Sequence, residues 1–595
     1  MARASCVLLP LLLCALFASL IASRPTLDSS TDSSASTGLP ESALAAQAHP
    51  IDSGASALAV YGNILEQMTR KAKATIAALS SLIIYVSVNS LARTLKPSAW
   101  VWYEEDRDEP TWLASSRSWL DRKSCRWLGI CGVAHFEMVG SHFGHRDPSK
   151  WSENTDADPE SLPWRSFWVS GASNQTEWDA DERARREIPD YVFDYAPLVH
   201  LYSGEQFWPG DIAEHLWHTT PTLNYTPIQA QWDHPTLEDL NDLNQWEGGR
   251  HVFLTSDEDP TSRPPWLEGE KNIPKPGNGD EESTKESWAE GDGRVDSQIH
   301  DDSEGARAEW DDLRQYTEED RERMEKDALA RESKQGSQRF RQELRKRYGG
   351  HEIQQPFKGA SARGIGGRSD APAILLVMDK GNGVVDAFWF YFYSFNLGNT
   401  VVNVRFGNHV GDWEHCLVRF HHGQPKALFF SAHSGGEAYQ YESVEKIGQR
   451  PVIYSAEGSH AMYAHAGVHE YVLPWGLLHD VTDRGPLWDP LLNSKAYRYD
   501  FDTDDLRAST FTPLAPTEWF YFKGHWGDKF YPLGDSRQYR FAGQYHYVNG
   551  PIGPRFKHLN RHKVCQGPDR SACVIKDYIG EAERAPWWSV ADSGI

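Results

Sequence analysis

The feature that most constrains this chain is a series of short apolar runs after Ala371, each ended by Gly, Pro or Asn. "AILLVMD", "VVDAFWFYFYSFNL", "WEHCLVRF", "KALFFSAH", "PVIYSAEGSH" and "HEYVLPW" follow one another with turn residues between them. Runs of this length, rich in Val, Ile and aromatic residues, are strands rather than helices, and their spacing predicts an antiparallel β-sandwich over residues 368–595. The 24 each of Trp, Tyr and Phe fit the same class, because flat side chains pack well on a pleated surface.

One stretch in this series is not apolar where it should be. "GNHVGDWEHCLVRF", Gly407 to Phe420, sets His409, Asp412 and Glu414 at the mouth of a buried strand. Alternation places Glu414, Cys416, Val418 and Phe420 on one face and Trp413, His415, Leu417 and Arg419 on the other. A hairpin centred between Gly423 and Gln424 then faces Glu414 with His433. Carboxylates this close bind a cation or share a proton. With imidazoles beside them they suit a hard divalent ion, calcium or magnesium rather than zinc, with water completing the shell. The bland alternative is a hydrogen-bonded cap on the strand. A metal-assisted hydrolase with His433 or His460 as base is the enzymatic alternative, although no nucleophile elbow, H-E-x-x-H or phosphate-binding loop supports it, so no catalytic residue is assigned.

The N-terminus supplies an address. Arg3, the apolar run Val7 to Ala22 and the small residues at its end read as a secretory signal peptide over 1–23. Residues 24–54 are a Ser/Thr/Pro/Ala linker, and 55–96 read as helix, with Ile76, Leu79, Ile83 and Val86 on one face. Its portion 74–92 is long enough for a single membrane span, but Ser80, Ser81, Ser87, Asn89 and Ser90 favour a packed helix. An exported chain places the protein in the secretory pathway, outside the cell or in the vacuolar lumen. Export also suits Cys125 with Cys131 and Cys565 with Cys573, close pairs that read as local disulfides or as reduced thiols, leaving Cys416 buried and free. Asn174 and Asn224 begin glycosylation triplets.

Between 97 and 236 the chain is aromatic and irregular. From Leu237 to Gly367 apolar periodicity is lost, and Asp280 to Glu304 holds ten acidic residues against two basic ones. Such a block reads as a solvated insertion, largely disordered and partly helical over Ala306 to Tyr348, and a candidate docking segment for protein partners, which makes a trafficking adaptor the third reading. The formal net charge of −24 argues against a nucleic-acid partner.

Several longer motifs resemble the vacuolar protein sorting-associated protein 62 family: "YAPLVHLYSGEQFWPGDIAEHL", "GNHVGDWEHCLVRF", "SAHSGGEAY", "PVIYSAEGSHAMYAHAG", "GHWGDKFYP" and "NGPIGPRFK". The resemblance implies a role in the secretory-vacuolar system and names no reaction, so a non-enzymatic protein is expected. A more distant likeness joins "NHVGDWEH" to the heptad of necrosis- and ethylene-inducing-like proteins, secreted sandwiches that bind a divalent cation and act on membrane lipid. It implies a metal site at His409, Asp412 and Glu414, an upstream ligand near Asn396, and a lipid or glycan partner. Gly411 stands where that heptad has its second histidine.

Overall fold

The computed structural model describes residues 104–136, 162–275 and 366–579, apart from 172, 402–403, 471–477, 542 and 568–571, together with a few helical positions between 80 and 88. The stretches expected as signal peptide, 1–23, and linker, 24–54, most of the 55–96 segment and residues 276–365 of the expected insertion lie outside the described residues. Among those described, no helix is long and apolar enough to cross a membrane.

Two compact units are formed. The smaller carries the helices Glu109–Ser115 and Trp119–Leu128 and a three-stranded sheet of Ile130–Cys131, Arg540–Phe541 and Gln544–Tyr545. Ser118 caps the second helix by accepting from the Asp121 amide, and Gly129 ends it in the left-handed conformation that glycine adopts without strain. Cys125 and Cys131 are disulfide-bonded, and the Arg540 guanidinium lies 5.0 and 5.1 Å from the ring centres of Trp112 and Tyr545, with Glu109 as its acid partner.

In the larger unit the elements run β1 Leu198–His200, α1 Ile212–Trp217, β2 Thr219–Leu223, β3 Val252–Ser256, β4 Ala373–Asp379, β5 Val384–Asn396, β6 His409–His421, β7 Gln424–Ala432, β8 Gly435–Gln440, β9 Arg450–Ser455, β10 Leu487–Trp488, β11 Ser494–Asp500, β12 Asp505–Ala508 and β13 Ile575–Lys576. An eight-stranded sheet has the order β12-β11-β4-β5-β6-β7-β8-β13, antiparallel except where β11 meets β4 and β8 meets β13. A smaller sheet built on β9, β1 and β10 covers one face. Its Val199, Ile453 and Trp488 pack with Leu375, Trp389, Tyr391, Cys416, Val418 and Phe430.

The sandwich expectation therefore holds, with one addition. The second face of the large sheet is also covered, by α1, β3 and the segment around Trp519 and Trp526, which pack on Leu376, Phe388, Phe390, Trp413, Leu417 and Phe429. Burial on both faces explains why "FWFYFY", Phe388 to Tyr393, is aromatic at every position instead of alternating with polar residues. Each such side chain contributes about 1.5–3 kcal/mol when fully buried.

The insertion starts later than its sequence suggests. Residues 237–275 are folded: Leu237, Leu240 and Leu243 are buried in the second core layer, and β3 pairs with β2. Short 3₁₀ pieces such as Leu240–Gln245 carry no α-helical period, so loss of periodicity is not loss of fold there. Lys275 and Arg368 then meet across a two-way backbone bridge, each N–H donating to the other's carbonyl at 2.9 and 2.7 Å. Cys565 and Cys573 are disulfide-bonded, and Cys416 is a buried free thiol.

Candidate functional site

β6 pairs with β5 along its whole length, setting His409 opposite Asn396, Asp412 opposite Tyr393 and Glu414 opposite Tyr391. Asp412 and Glu414 share the face turned to the smaller sheet, and both are less than a tenth exposed. The anticipated register against β7 is one residue off. The turn is His422-Gly423, and a bulge between Arg419 and Phe420 shifts the ladder so that Cys416 pairs with Phe430. His433 is thus not delivered by cross-strand pairing. It leaves β7 in a left-handed turn, φ 53°, and its Nε2 lies 2.7 Å from Asp480.

The turn that follows β9 supplies what β6 lacks. His460, fully buried, stacks on Tyr393 with ring centres 3.7 Å apart. Its Nδ1 is 3.0 Å from Asp412 and its Nε2 is 2.9 Å from the Phe207 carbonyl. A ring with oxygen at both nitrogens is held as the imidazolium. Burial alone would lower its pKa, but the Asp412 hydrogen bond and the Glu205 charge outweigh it and raise it. Glu205 fixes this turn to the loop after β1, accepting from the amides of Gln206 and Phe207 at 2.8 Å and of Gly458 at 2.9 Å.

A second acid anchors the neighbouring side. Asp480 accepts from Ser459 at 2.9 Å, Asn399 at 2.9 Å and Tyr463 at 2.6 Å as well as from His433. Burial opposes its charge, yet these donors hold it down at about 2, and Asp480 raises the His433 pKa against the effect of burial. Glu414 has no such partner set. Ser431 donates to it, having accepted from the His415 amide at 2.8 Å. Burial first, then Asp412, pushes the Glu414 carboxyl up to about 8.

The other expected residues occupy definite places. The His409 Nδ1 donates to the Gly411 carbonyl at 2.6 Å, and burial lowers its pKa. Asn396 donates to the Gly407 carbonyl at 2.9 Å, which ties the turn before β6 to the end of β5. Gly411 has φ 70°, and a Cβ there would stand 1.9 Å from the Trp526 carbonyl, so the backbone contact rules out any side chain. Among the described residues, no three His, Cys, Asp or Glu side chains stand as metal ligands. Asn174 is exposed, whereas Asn224 accepts from Lys529 at 2.7 Å. Glu205, Asp480 and Tyr393 carried no signal of their own in the sequence, because they reach the site only through pairing between distant segments.

Comparison with known proteins gives consistent matches. The model of a family described as vacuolar protein sorting-associated protein 62 matches residues 380–485. The vacuolar protein sorting-associated protein TDA6 of Saccharomyces cerevisiae is 35% identical over 456 residues, covering 69% of this chain and 77% of that protein. Vacuolar protein sorting-associated protein 62 of the same yeast is 32% identical over 438 residues, covering 68% and 74%. Among solved structures, Necrosis and Ethylene inducing Protein 2 from the causal agent of cocoa's Witches Broom disease matches at 19% identity and TM-score 0.13, over 19% of this chain and 52% of that one. The non-toxic HaNLP3 protein matches at 15% identity and TM-score 0.15, over 23% and 55%. The chain spans just over half the length of these two structures.

Proposed function

The chain belongs to the vacuolar protein sorting-associated protein 62 family, and from that premise we propose that it serves vacuolar protein sorting as a binding protein whose ligand site is the carboxylate end of β6. What carries this reading is the unequal neutralisation of two acids on one strand face. Asp412 has the His460 imidazolium, while Glu414 has a serine hydroxyl and retains a proton. Two buried carboxylates with one fixed counter-charge have room for one more positive charge, and a cation that replaces the Glu414 proton supplies it.

The donor set fits a metal in a restricted way. Two carboxylates are hard oxygen ligands suited to calcium or magnesium, with water or ligand oxygen filling most of the shell. An ion bound in that manner keeps positions open to the oxygen-rich head group of a lipid or glycan. Tyr393 and His460 form the rigid floor, and the Glu205 and Asp480 anchors hold the two loops in register. His460 is unsuited to act as a general base, since both of its nitrogens are already engaged.

Elemental analysis of purified full-length protein, dialysed without chelator, tests the reading. About one equivalent of calcium, magnesium or manganese per chain is expected. An Asp412→Ala, Glu414→Gln double variant with the same thermal midpoint should bind none. Equal metal content in both proteins, or none in either under millimolar calcium, would overturn it.

A further inference from the structure

The helix Trp119–Leu128 of the smaller unit is amphipathic in the opposite sense to a packed helix. Of its residues only Cys125 is buried, fastened by its disulfide to the strand Ile130–Cys131. At about 100° per residue, Trp119, Lys123, Trp127 and Leu120 share an arc of about 100° on the side away from Cys125. These apolar side chains face outward: Trp119 is 62%, Leu120 69% and Trp127 47% exposed, and Leu128 and Val133 are exposed beyond them. Single exposed apolar residues are ordinary, but a surface helix normally turns its apolar stripe to the core. A contiguous stripe turned the other way adds little to folding and marks a contact surface.

The charge beside this stripe is mostly of one sign. Residues 117–128 hold Arg117, Arg122, Lys123 and Arg126 against Asp121 alone, in a chain whose formal net charge is −24. The fold itself uses Asp121, which accepts from the Gly132 amide at 2.7 Å, and Arg122, which donates to the Ser116 carbonyl. Asp106 and Glu109, acids of the preceding helices, face Arg540 at 3.7 and 2.5 Å. Arg117, Lys123 and Arg126 are left without an ion pair among the described residues, and the Lys123 Nζ stands 5.0 Å from the Trp127 ring centre. Upstream in the same unit, Ile84 and Val88, one helical turn apart, are exposed as well.

We propose that the helix Trp119–Leu128 docks the protein on an anionic lipid bilayer, with Trp119, Leu120 and Trp127 entering the head-group boundary and Arg117, Lys123 and Arg126 meeting lipid phosphates. Indole suits that boundary, because its ring is apolar and its N–H is polar, and flanking Lys and Arg reach the same depth on their long stems. The unpaired cations around the stripe are what select a negatively charged surface over an apolar protein face. Three apolar anchors on one short helix give reversible binding, not insertion. The surface lies in the smaller unit and needs no divalent ion, so it stands or falls independently of the carboxylate site on β6.

Flotation of the purified full-length chain with vesicles, in the presence of chelator, tests the docking surface. The chain should float with phosphatidylcholine vesicles that carry phosphatidylserine, float poorly with phosphatidylcholine alone, and be released as salt rises. A Trp119→Ser, Trp127→Ser double variant with an unchanged thermal midpoint should bind about tenfold more weakly or worse, and Lys123→Glu, Arg126→Glu should remove the preference for phosphatidylserine. Hydroxyl-radical labelling of Trp119 and Trp127, suppressed when vesicles are added, reads the same contact without a variant. Equal flotation of wild type and the tryptophan variant would overturn the proposal and move the lipid contact to another segment, such as 74–92. Absence of flotation would overturn it too, and a dimer that the tryptophan variant turns into a monomer would then assign the stripe to a second copy of the chain.

Discussion

Two buried charge clusters in the larger unit are built to opposite ends. Arg450 and Asp489 are closed: the guanidinium makes bonds of 2.8 and 2.5 Å to the carboxylate and further bonds to the carbonyls of Ala196 and Pro197, while Asp489 also accepts from Leu491. Asp412 and Glu414 are open, with two acids, one imidazolium and a retained proton. Complete satisfaction makes the first pair scaffold, fastening β9 to the segment after β10. Incomplete satisfaction makes the second a place where an outside charge changes the energy of the fold.

The contrast can be broken most forcefully at the closed pair. Arg450→Met strands Asp489 in the interior and should cost about 3–5 kcal/mol in urea unfolding. Adding Asp489→Leu should recover a substantial part, because no unpaired charge remains. Next in size is Gly411→Ala, where a left-handed backbone and the Trp526 carbonyl together should cost about 2 kcal/mol or more. A temperature midpoint that hardly moves would mean that the contact between β6 and Trp526 is slack.

Glu414→Gln sharpens the open side. Its carboxyl titrates near 8 in the fold and near 4.5 when unfolded, so between those values the folded state keeps a proton that the unfolded state releases. Stability must then fall as pH rises from about 4.5 to 8. The glutamine variant should flatten that slope while folding normally at pH 5. An unchanged pH profile would show that Glu414 is not the proton holder. Arg484→Ala, which removes the largely solvated pair with Glu445, should change stability by no more than about 1 kcal/mol and calibrates the series.

Much of this organisation was legible in the residues. The two faces of β6 separate as alternation requires: Cys416, Val418 and Phe420 lie toward the smaller sheet, and Trp413 and Leu417 lie away from it. Both cysteine pairs formed and Cys416 stayed free, because short loops and an apolar strand leave little choice. The register of β7 was not legible although Pro425 stands at the shift, because a proline marks a break in the ladder without saying how far the pairing moves. Nor was the role of Gly411. In sequence it reads as a missing histidine, whereas the fold needs the absence of a side chain there. The His460–Asp412 contact is closed by tertiary packing between segments 48 positions apart, which no local period encodes.

The bridge between Lys275 and Arg368 has a consequence for how such a chain can change over time. The segment between those residues starts and ends at neighbouring points of the scaffold, so its two ends are already brought together by the rest of the molecule. A change in the length of that segment alters a loop whose ends are already held together, and the closure cost of such a loop grows slowly with length.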